Sequence, residues 1–263
     1  MKTHNKGKIT ILVILFAITF QIQSLSAQVN AVEVMNKVTA TQSHDSAALD
    51  ITLTLIETNG EERERRIQTL TRLNNGNTES ITIFLSPASV KQTRFLTLEK
   101  DGQDEQWIYL PALKQSKRIS SGEQTGSFMG SDFSYADMSA TTFSQDEATH
   151  TYLKTEIING RDTFVIESVP YVSSSYGKSI VWVDSETYLP MKVELYDKNK
   201  TTLLKQLNTK KIEQLSGEWT ATVMEMITVS TGHKTQIKIS QAKYGIPIPS
   251  GYFSIQFLKT GRI

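Results

Sequence analysis

From Leu49 onward apolar residues recur at every second position and each run is cut by a turn signal, a period that a β-strand converts into one buried face and a helix cannot. Ile51, Leu53 and Leu55 alternate with threonines, Asn59-Gly60 supplies a hairpin turn, and Arg63 to Leu73 returns. Thr78 to Leu85 is a third strand with Ile81, Ile83 and Leu85 on one face, stopped by Ser86-Pro87. Thr93 to Glu99, the Asp101-Gly102 turn and Glu105 to Leu110 make a second hairpin; Thr149 to Ile158, Asn159-Gly160 and Arg161 to Val169 make a third. Ser179 to Asp184, Pro190 to Tyr196, Thr202 to Asn208 joined to Lys210 to Leu215, Trp219 to Val229 and Lys234 to Ala242 complete the series. Ile246 to Gly251 closes the sheet, and Tyr252 to Leu258 reads as a short apolar tail. The spacing predicts about ten or eleven antiparallel strands in a strongly curved meander.

Two stretches near the N-terminus follow other rules. Val29 to Thr41 sets Val29, Val32, Met35 and Val38, with Ala31 and Val34 one turn round, at helical spacing, and Glu33 and Lys37 form an i,i+4 pair; this predicts one amphipathic helix. Met1 to Ala27 has the three parts of a secretory signal: Lys2, Lys6 and Lys8, an apolar run from Ile9 to Phe20, and small residues near Ala27. The run falls short of the ~20 residues a spanning helix needs, so cleavage after Ala27 and export to the periplasm are expected. Residues 28–263 are then expected to form a single domain, mainly β with a flanking helix. A strongly curved sheet has an inner face that needs cover, and one helix of about four turns is little cover.

Composition removes whole classes of function. The chain has no cysteine, which excludes disulfides, thiolate metal sites, a cysteine nucleophile and a lipid-acceptor cysteine after the leader. Formal net charge is +1, and removing the three leader lysines leaves −2, which argues against a nucleic-acid partner. His44, His150 and His233 stand in polar settings without metal-ligand spacing, no G-x-S-x-G elbow surrounds a serine, and each histidine reads as solvated. Asp101, Asp104 and Glu105 lack the alternation of a calcium loop. Asp132 and Asp137, five residues apart, would not face each other on a short helical turn, so capping and surface roles are expected instead of acid–base work. No catalytic residue, cofactor or metal is expected.

The most unusual stretch is Trp107 to Met138. It opens as a strand ended by Pro111, turns basic at Lys114, Lys117 and Arg118, loosens through Ser120, Ser121, Gly122, Gly126 and Ser127 into what reads as a surface loop, and ends on Phe128, Met129, Phe133, Tyr135 and Met138. Asp132 is placed to cap a helical turn over Phe133 to Met138. The large apolar groups interleaved with Gly130, Ser131, Asp132 and Asp137 imply that the loop folds back and docks an apolar end.

This stretch, with its W-x-YLP segment, basic positions and FMGSDFSY segment, resembles the outer-membrane lipoprotein-sorting family, the LolA-like proteins. The resemblance implies an incomplete, half-open β-barrel with a helix lid around an apolar cavity for acyl chains, and hence a non-enzymatic periplasmic carrier of lipoproteins or other lipids. It implies lipoprotein acyl chains or another lipid as partner, with an RND-type inner-membrane exporter and an outer-membrane acceptor as further partners, and a monomeric carrier. A sensor of the RseB type is the alternative; such proteins carry an extra C-terminal domain, and the end of the chain soon after Leu258 favours the carrier. The expected lipid-lining residues are Leu53, Leu55, Ile83, Leu85, Phe95, Trp107, Tyr109, Phe128, Met129, Phe133, Tyr135, Val193 and Leu195. The aromatic ones among them either rim that cavity or plug the end of the sheet. Lys114, Lys117 and Arg118 meet a headgroup or an acidic partner, or are simply solvated.

Overall fold

The computed structural model describes residues 29–100, 103–138, 148–171 and 174–263, so the expected leader lies outside the described residues. Helix α1 (Ala31–Gln42) starts where Asn30 accepts from the backbone N–H groups of Val32 and Glu33, and it buries Ala31, Val34, Met35 and Val38. Glu33 and Lys37 pair at 3.0 Å on its outer side, as the spacing predicts.

The strands are β1 (Ser46–Ile56), β2 (Glu62–Asn74), β3 (Asn77–Ser86), β4 (Arg94–Lys100), β5 (Gln103–Leu110), β6 (Gln115–Ile119), β7 (Ala148–Ile158), β8 (Arg161–Pro170), β9 (Lys178–Asp184), β10 (Pro190–Tyr196), β11 (Leu203–Leu215), β12 (Glu218–Thr228) and β13 (Lys234–Tyr244). They form one antiparallel sheet in the order β6-β5-β4-β3-β2-β1-β13-β12-β11-β10-β9-β8-β7, not closed into a barrel. Among the described residues the sheet thus has thirteen strands where ten or eleven were expected. The basic stretch expected to be a loose loop is largely β6, paired along Gln106 to Leu110 of β5. An edge strand with one neighbour needs no apolar alternation, which is why its composition hid it.

Curvature follows from two hydrogen bonds. Gln106 on β5 donates to the carbonyl of Tyr135, and Lys205 on β11 pairs with Asp137, two residues further on. In a flat sheet these strands, seven steps apart, would lie about 34 Å from each other at roughly 4.8 Å per step. Two residues of chain span only about 7 Å, so the sheet bends round the segment between them. The concave face carries Ile67, Phe84, Phe95, Ile108, Ile119, Ile166, Val181, Val183, Val193, Leu195 and Met226, which pack into one cluster with α1 and with Phe128 and Phe133.

The convex face has its own cover. Tyr252 to Leu258, expected as a tail, is a 3-10 turn (Ser250–Phe253) followed by helix α2 (Ile255–Thr260). Ser254 caps α2 by accepting from the Phe257 N–H, and Gly261 ends it in the left-handed conformation. Phe253, Phe257 and Leu258 pack on Leu70, Ile81 and Leu96. Arg94 fixes the helix end by donating to the carbonyls of Leu258 and Lys259 at 2.7 and 3.2 Å. Among the described residues no helix is long and apolar enough to cross a membrane.

Candidate functional site

The sheet's two edges, β6 and β7, are consecutive in sequence, so the chain leaving β6 has to cross the mouth of the curve to reach β7. Residues 120–138 make part of that crossing over the concave face. They start at a capping box in which Ser120 and Glu123 bond reciprocally, with Lys117 also donating to Glu123. These contacts hold the Glu123 carboxyl down at about 2, Lys117 contributing most and the Ser120 N–H next.

Phe128 to Phe133 then folds into a tight hairpin. The Phe128 N–H donates to the Phe133 carbonyl at 2.7 Å, and the Ser131 N–H donates to the Phe128 carbonyl at 3.0 Å. Met129 (φ 53) and Gly130 (φ 77) both take the left-handed conformation that such a turn demands, as Asn75-Gly76 and Asn159-Gly160 do in the sheet. Glycine is needed at 130 for this reason. The hairpin drives Phe128 into the concave face, with ring centroids 6.0 Å from Phe84, 5.0 Å from Phe95 and 5.8 Å from Tyr135.

Polar contacts tie the hairpin and the residues just after it to five strands. Arg65 of β2 donates to the Met129 carbonyl, and Gln106 of β5 to that of Tyr135 at 2.8 Å. Asp132, only 5 % exposed, accepts from Thr228 of β12, from Thr235 of β13 at 2.7 Å, and lies 2.6 Å from His233 Nδ1. Its backbone N–H donates to Thr235 Oγ1 at 2.9 Å. Asp137 accepts from Tyr176 at 2.9 Å, from Lys205 of β11 at 2.8 Å and from the Ser134 N–H at 2.7 Å. Burial, and then the Asp137 charge, push the Tyr176 hydroxyl well above the ordinary phenol range. Burial, reinforced by Arg63, lowers the Arg65 guanidinium.

Several expectations change here. Asp132 does not cap the turn over Phe133 to Met138; that turn is shorter (Ala136–Met138), and Asp132 is buried in a side-chain network instead. Asp137 is likewise inside and not on the surface. His233 is held between Asp132 and Glu57, and His150 is half-buried with Nδ1 2.7 Å from Ser168, its charged form disfavoured by burial. His44 stacks on Tyr244 at 4.1 Å. Arg65, on the returning strand of the first hairpin, points to the concave side. The sequence signal was a charged residue in the register of Leu53, and it is recognisable only once that parity is known to face inward. Gln106, Tyr176, Lys205, Thr228 and Thr235 carried no signal, because their partners lie 29 to 103 residues away.

Of the expected lining residues, Phe95, Phe128, Met129, Phe133, Tyr135, Val193 and Leu195 lie in the concave cluster. Leu53 and Leu55 share that face by register: Leu53 pairs with Ile237, and Leu55 with Thr235, the partner of Asp132. Ile83, Trp107 and Tyr109 lie on the other face, in the cluster under α2. Their strands are apolar on both sides, so alternation alone gave the wrong parity. Leu85 is the extra residue of a bulge between the Phe84 and Ser86 pairings and belongs to neither cluster. Lys117 and Arg118 are engaged by Glu123 and Glu105, with Arg118 also 5.8 Å from the Trp107 ring, while Lys114 stays exposed at the β5–β6 turn. The concave side is filled by α1 and the crossing segment. A polar pocket of about 580 Å³ lies elsewhere, along Gln103 to Glu105 and Arg118 to Ser121. Among the described residues no three His, Asp or Glu side chains gather to hold a metal.

An outer membrane lipoprotein-sorting protein domain from Vibrio parahaemolyticus superposes on 87% of this chain and 98% of its own, with a TM-score of 0.80 and 33% sequence identity. The chain belongs to the outer-membrane lipoprotein-sorting, LolA-like family. A DUF1329 family protein from Desulfovibrio piger (TM-score 0.82, 24% identity, 87% and 97% covered) shares the LolA-like fold. So does a LolA superfamily protein from Nitrosomonas europaea (0.70, 22%, 87% and 99%). A family model described as "Uncharacterized protein" matches residues 76–260. No curated protein matches. The open, curved sheet with its covered concave face is therefore a LolA-like fold.

Proposed function

We propose that this protein is a non-enzymatic periplasmic carrier that binds the acyl chains of lipoproteins or other lipids on the concave face and delivers them towards the outer membrane. In this reading the leader is cleaved after Ala27, residues 28–263 act as one domain, and the carrier works as a monomer between an RND-type exporter and an outer-membrane acceptor. The observation that supports it is the way the concave cluster is covered. Its aromatic centre, Phe84 and Phe95, is closed by one irregular hairpin, Phe128 to Phe133, and not by a strand or a long helix. Such a cover separates from the sheet without breaking a strand ladder, and the surface beneath it is apolar, as acyl chains require. Each methylene buried there contributes about 0.8 kcal/mol, enough for reversible binding and release to a better acceptor. Leu53, Leu55, Phe95, Val193 and Leu195 are proposed to line the site from the sheet, and Phe128, Met129, Phe133 and Tyr135 to line it from the cover. Lys114, exposed at the β5–β6 turn, is the proposed contact for a headgroup or an acidic partner.

The test is mass spectrometry of lipids extracted from natively purified protein, together with titration of a fluorescent acyl probe. Co-purifying lipid and saturable probe binding are expected. A lipid-free protein that takes up no probe would refute the carrier reading.

A further inference from the structure

The segment that closes the concave face is itself amphiphilic. Phe128, Met129 and Phe133 occupy its apolar part, while the carboxylates of Asp132 and Asp137 and the Met129 carbonyl occupy its hydrogen-bond donors. The donors come from the sheet and its turns: Thr228 Oγ1, Thr235 Oγ1 and His233 Nδ1 around Asp132, Arg65 on the Met129 carbonyl, and Lys205 and Tyr176 on Asp137. Thr235 is fully buried, and the Asp132 side chain is 2 % exposed. Glu57 stands 3.8 Å from His233 Nε2 and is itself engaged by Arg63. Among the described residues Arg65 has no carboxylate partner; a backbone carbonyl is the acceptor it meets.

We propose that the lipid carried is an anionic amphiphile whose headgroup takes the place of the Asp132 carboxylate among Thr228, Thr235, His233 and Arg65, while its chain takes the place of Phe128 and Phe133. This rests on the carrier reading and narrows it to a ligand class. A ligand that displaces the hairpin strips these donors of their acceptors. A neutral lipid leaves them stranded beside an apolar chain, at a cost of roughly five- to a hundred-fold in affinity for each donor left unmet. A phosphate or carboxylate headgroup meets them again, and Arg65 gains the counter-charge it lacks. Arg65 is within reach of the same headgroup. It lies on β2, two strand steps across and two residues along from Thr235 on β13, roughly 12 Å away, and its guanidinium already touches Met129, three residues before Asp132.

The experiment compares two lipids that share one chain and differ by a phosphate. Oleoyl lysophosphatidic acid and monooleoylglycerol, each below its critical micelle concentration, compete with a neutral fluorescent acyl probe bound to the full mature chain. Lysophosphatidic acid is expected to displace the probe at a concentration at least ten-fold lower than monooleoylglycerol. In Thr228→Val/Thr235→Val and in Arg65→Gln that ratio is expected to fall towards one. Reading a ratio removes any general change in affinity from loosening the hairpin, and a thermal melt of each variant identifies one that fails to fold, leaving the other to decide. Inorganic phosphate at the same concentration is expected to displace nothing. Equal displacement by the two lipids, or displacement by phosphate alone, overturns the anionic-amphiphile assignment and leaves the carrier reading standing. Failure of the protein to bind the probe or either lipid overturns both.

Discussion

Replacing Asp132 with alanine separates a removable cover from a fixed part of the core. The carboxylate accepts from two threonine hydroxyls and faces a histidine ring nitrogen 2.6 Å away, almost wholly out of water. Hydrogen bonds to a charged group contribute about 1.5–3 kcal/mol each, and removing one partner of a buried, paired network costs about 3–5 kcal/mol, because the three contacts are not additive. If that cost falls on the closing of the hairpin alone, the closed-to-open ratio drops by a factor of roughly 10² to 5 × 10³. Amide hydrogen exchange reads this directly. The N–H groups of Phe128 and Ser131, bonded within the hairpin, are expected to exchange at least about a hundred-fold faster in Asp132→Ala, while the Phe84 N–H, bonded to Thr93, keeps its wild-type protection. Wild-type protection throughout 128–135 would show that Asp132 does not hold the hairpin. Equal acceleration at Phe84 would show that hairpin and sheet open as one unit, and the surface beneath would not be reachable by a lipid without unfolding.

Leu258→Ala, at a fully buried position under α2 on the convex face, is expected to lower stability by about 2–5 kcal/mol in denaturant unfolding while acyl-probe affinity per folded molecule stays unchanged. Gly130→Ala forces a Cβ into the left-handed conformation at φ 77 and is expected to cost about 1–2 kcal/mol, seen as faster exchange confined to the Phe128–Phe133 hairpin. The Glu123 carboxyl, held at about 2 against an ordinary 4.5, stabilises the start of the crossing segment above its ordinary value, and this contribution is lost as pH falls from about 4.5 towards 2. An NMR titration of the Glu123 side chain is expected to place its midpoint near the lower value and to move it upwards in Lys117→Gln; an unmoved midpoint would dissociate the shift from Lys117.

The hairpins were legible because Asn-Gly pairs and period-two runs report local geometry, and a hairpin is a local object. Which side of each strand faces inward was less so. Phe84, Phe95 and Ile108 lie on the concave face while Ile83, Leu96 and Trp107 lie on the face under α2, and when both sides of a sheet are apolar the alternation that marks one face disappears. The helix behind that ambiguity had readable signals: Ser254 as its cap, Phe257 and Leu258 as its buried pair, and Gly261 as its stop. Its six residues make a run too short for periodicity to register. The FMGSDFSY segment identified the family from sequence, but its chemistry was hidden, since Asp132 meets Thr228, His233 and Thr235 only after the sheet has curved. A carboxylate in such a segment reads as a surface group until a partner a hundred residues away arrives.

Strand order also has a kinetic consequence. Every neighbouring pair in the sheet is a pair of consecutive strands except β1 and β13, which meet near its middle. The molecule is thus two meanders, β1 to β6 and β7 to β13, each assembled from short loop closures, with one seam joining residues about two hundred positions apart. Closing that seam carries the largest single loop-closure cost in the sheet, and sequence-distant pairing of this kind sets the pace of β-rich folding. The bonds from Asp132 to Thr228, His233 and Thr235 connect the first meander's trailing segment to the second meander beside the seam, so the contacts that close the concave face also fasten the two halves of the sheet together.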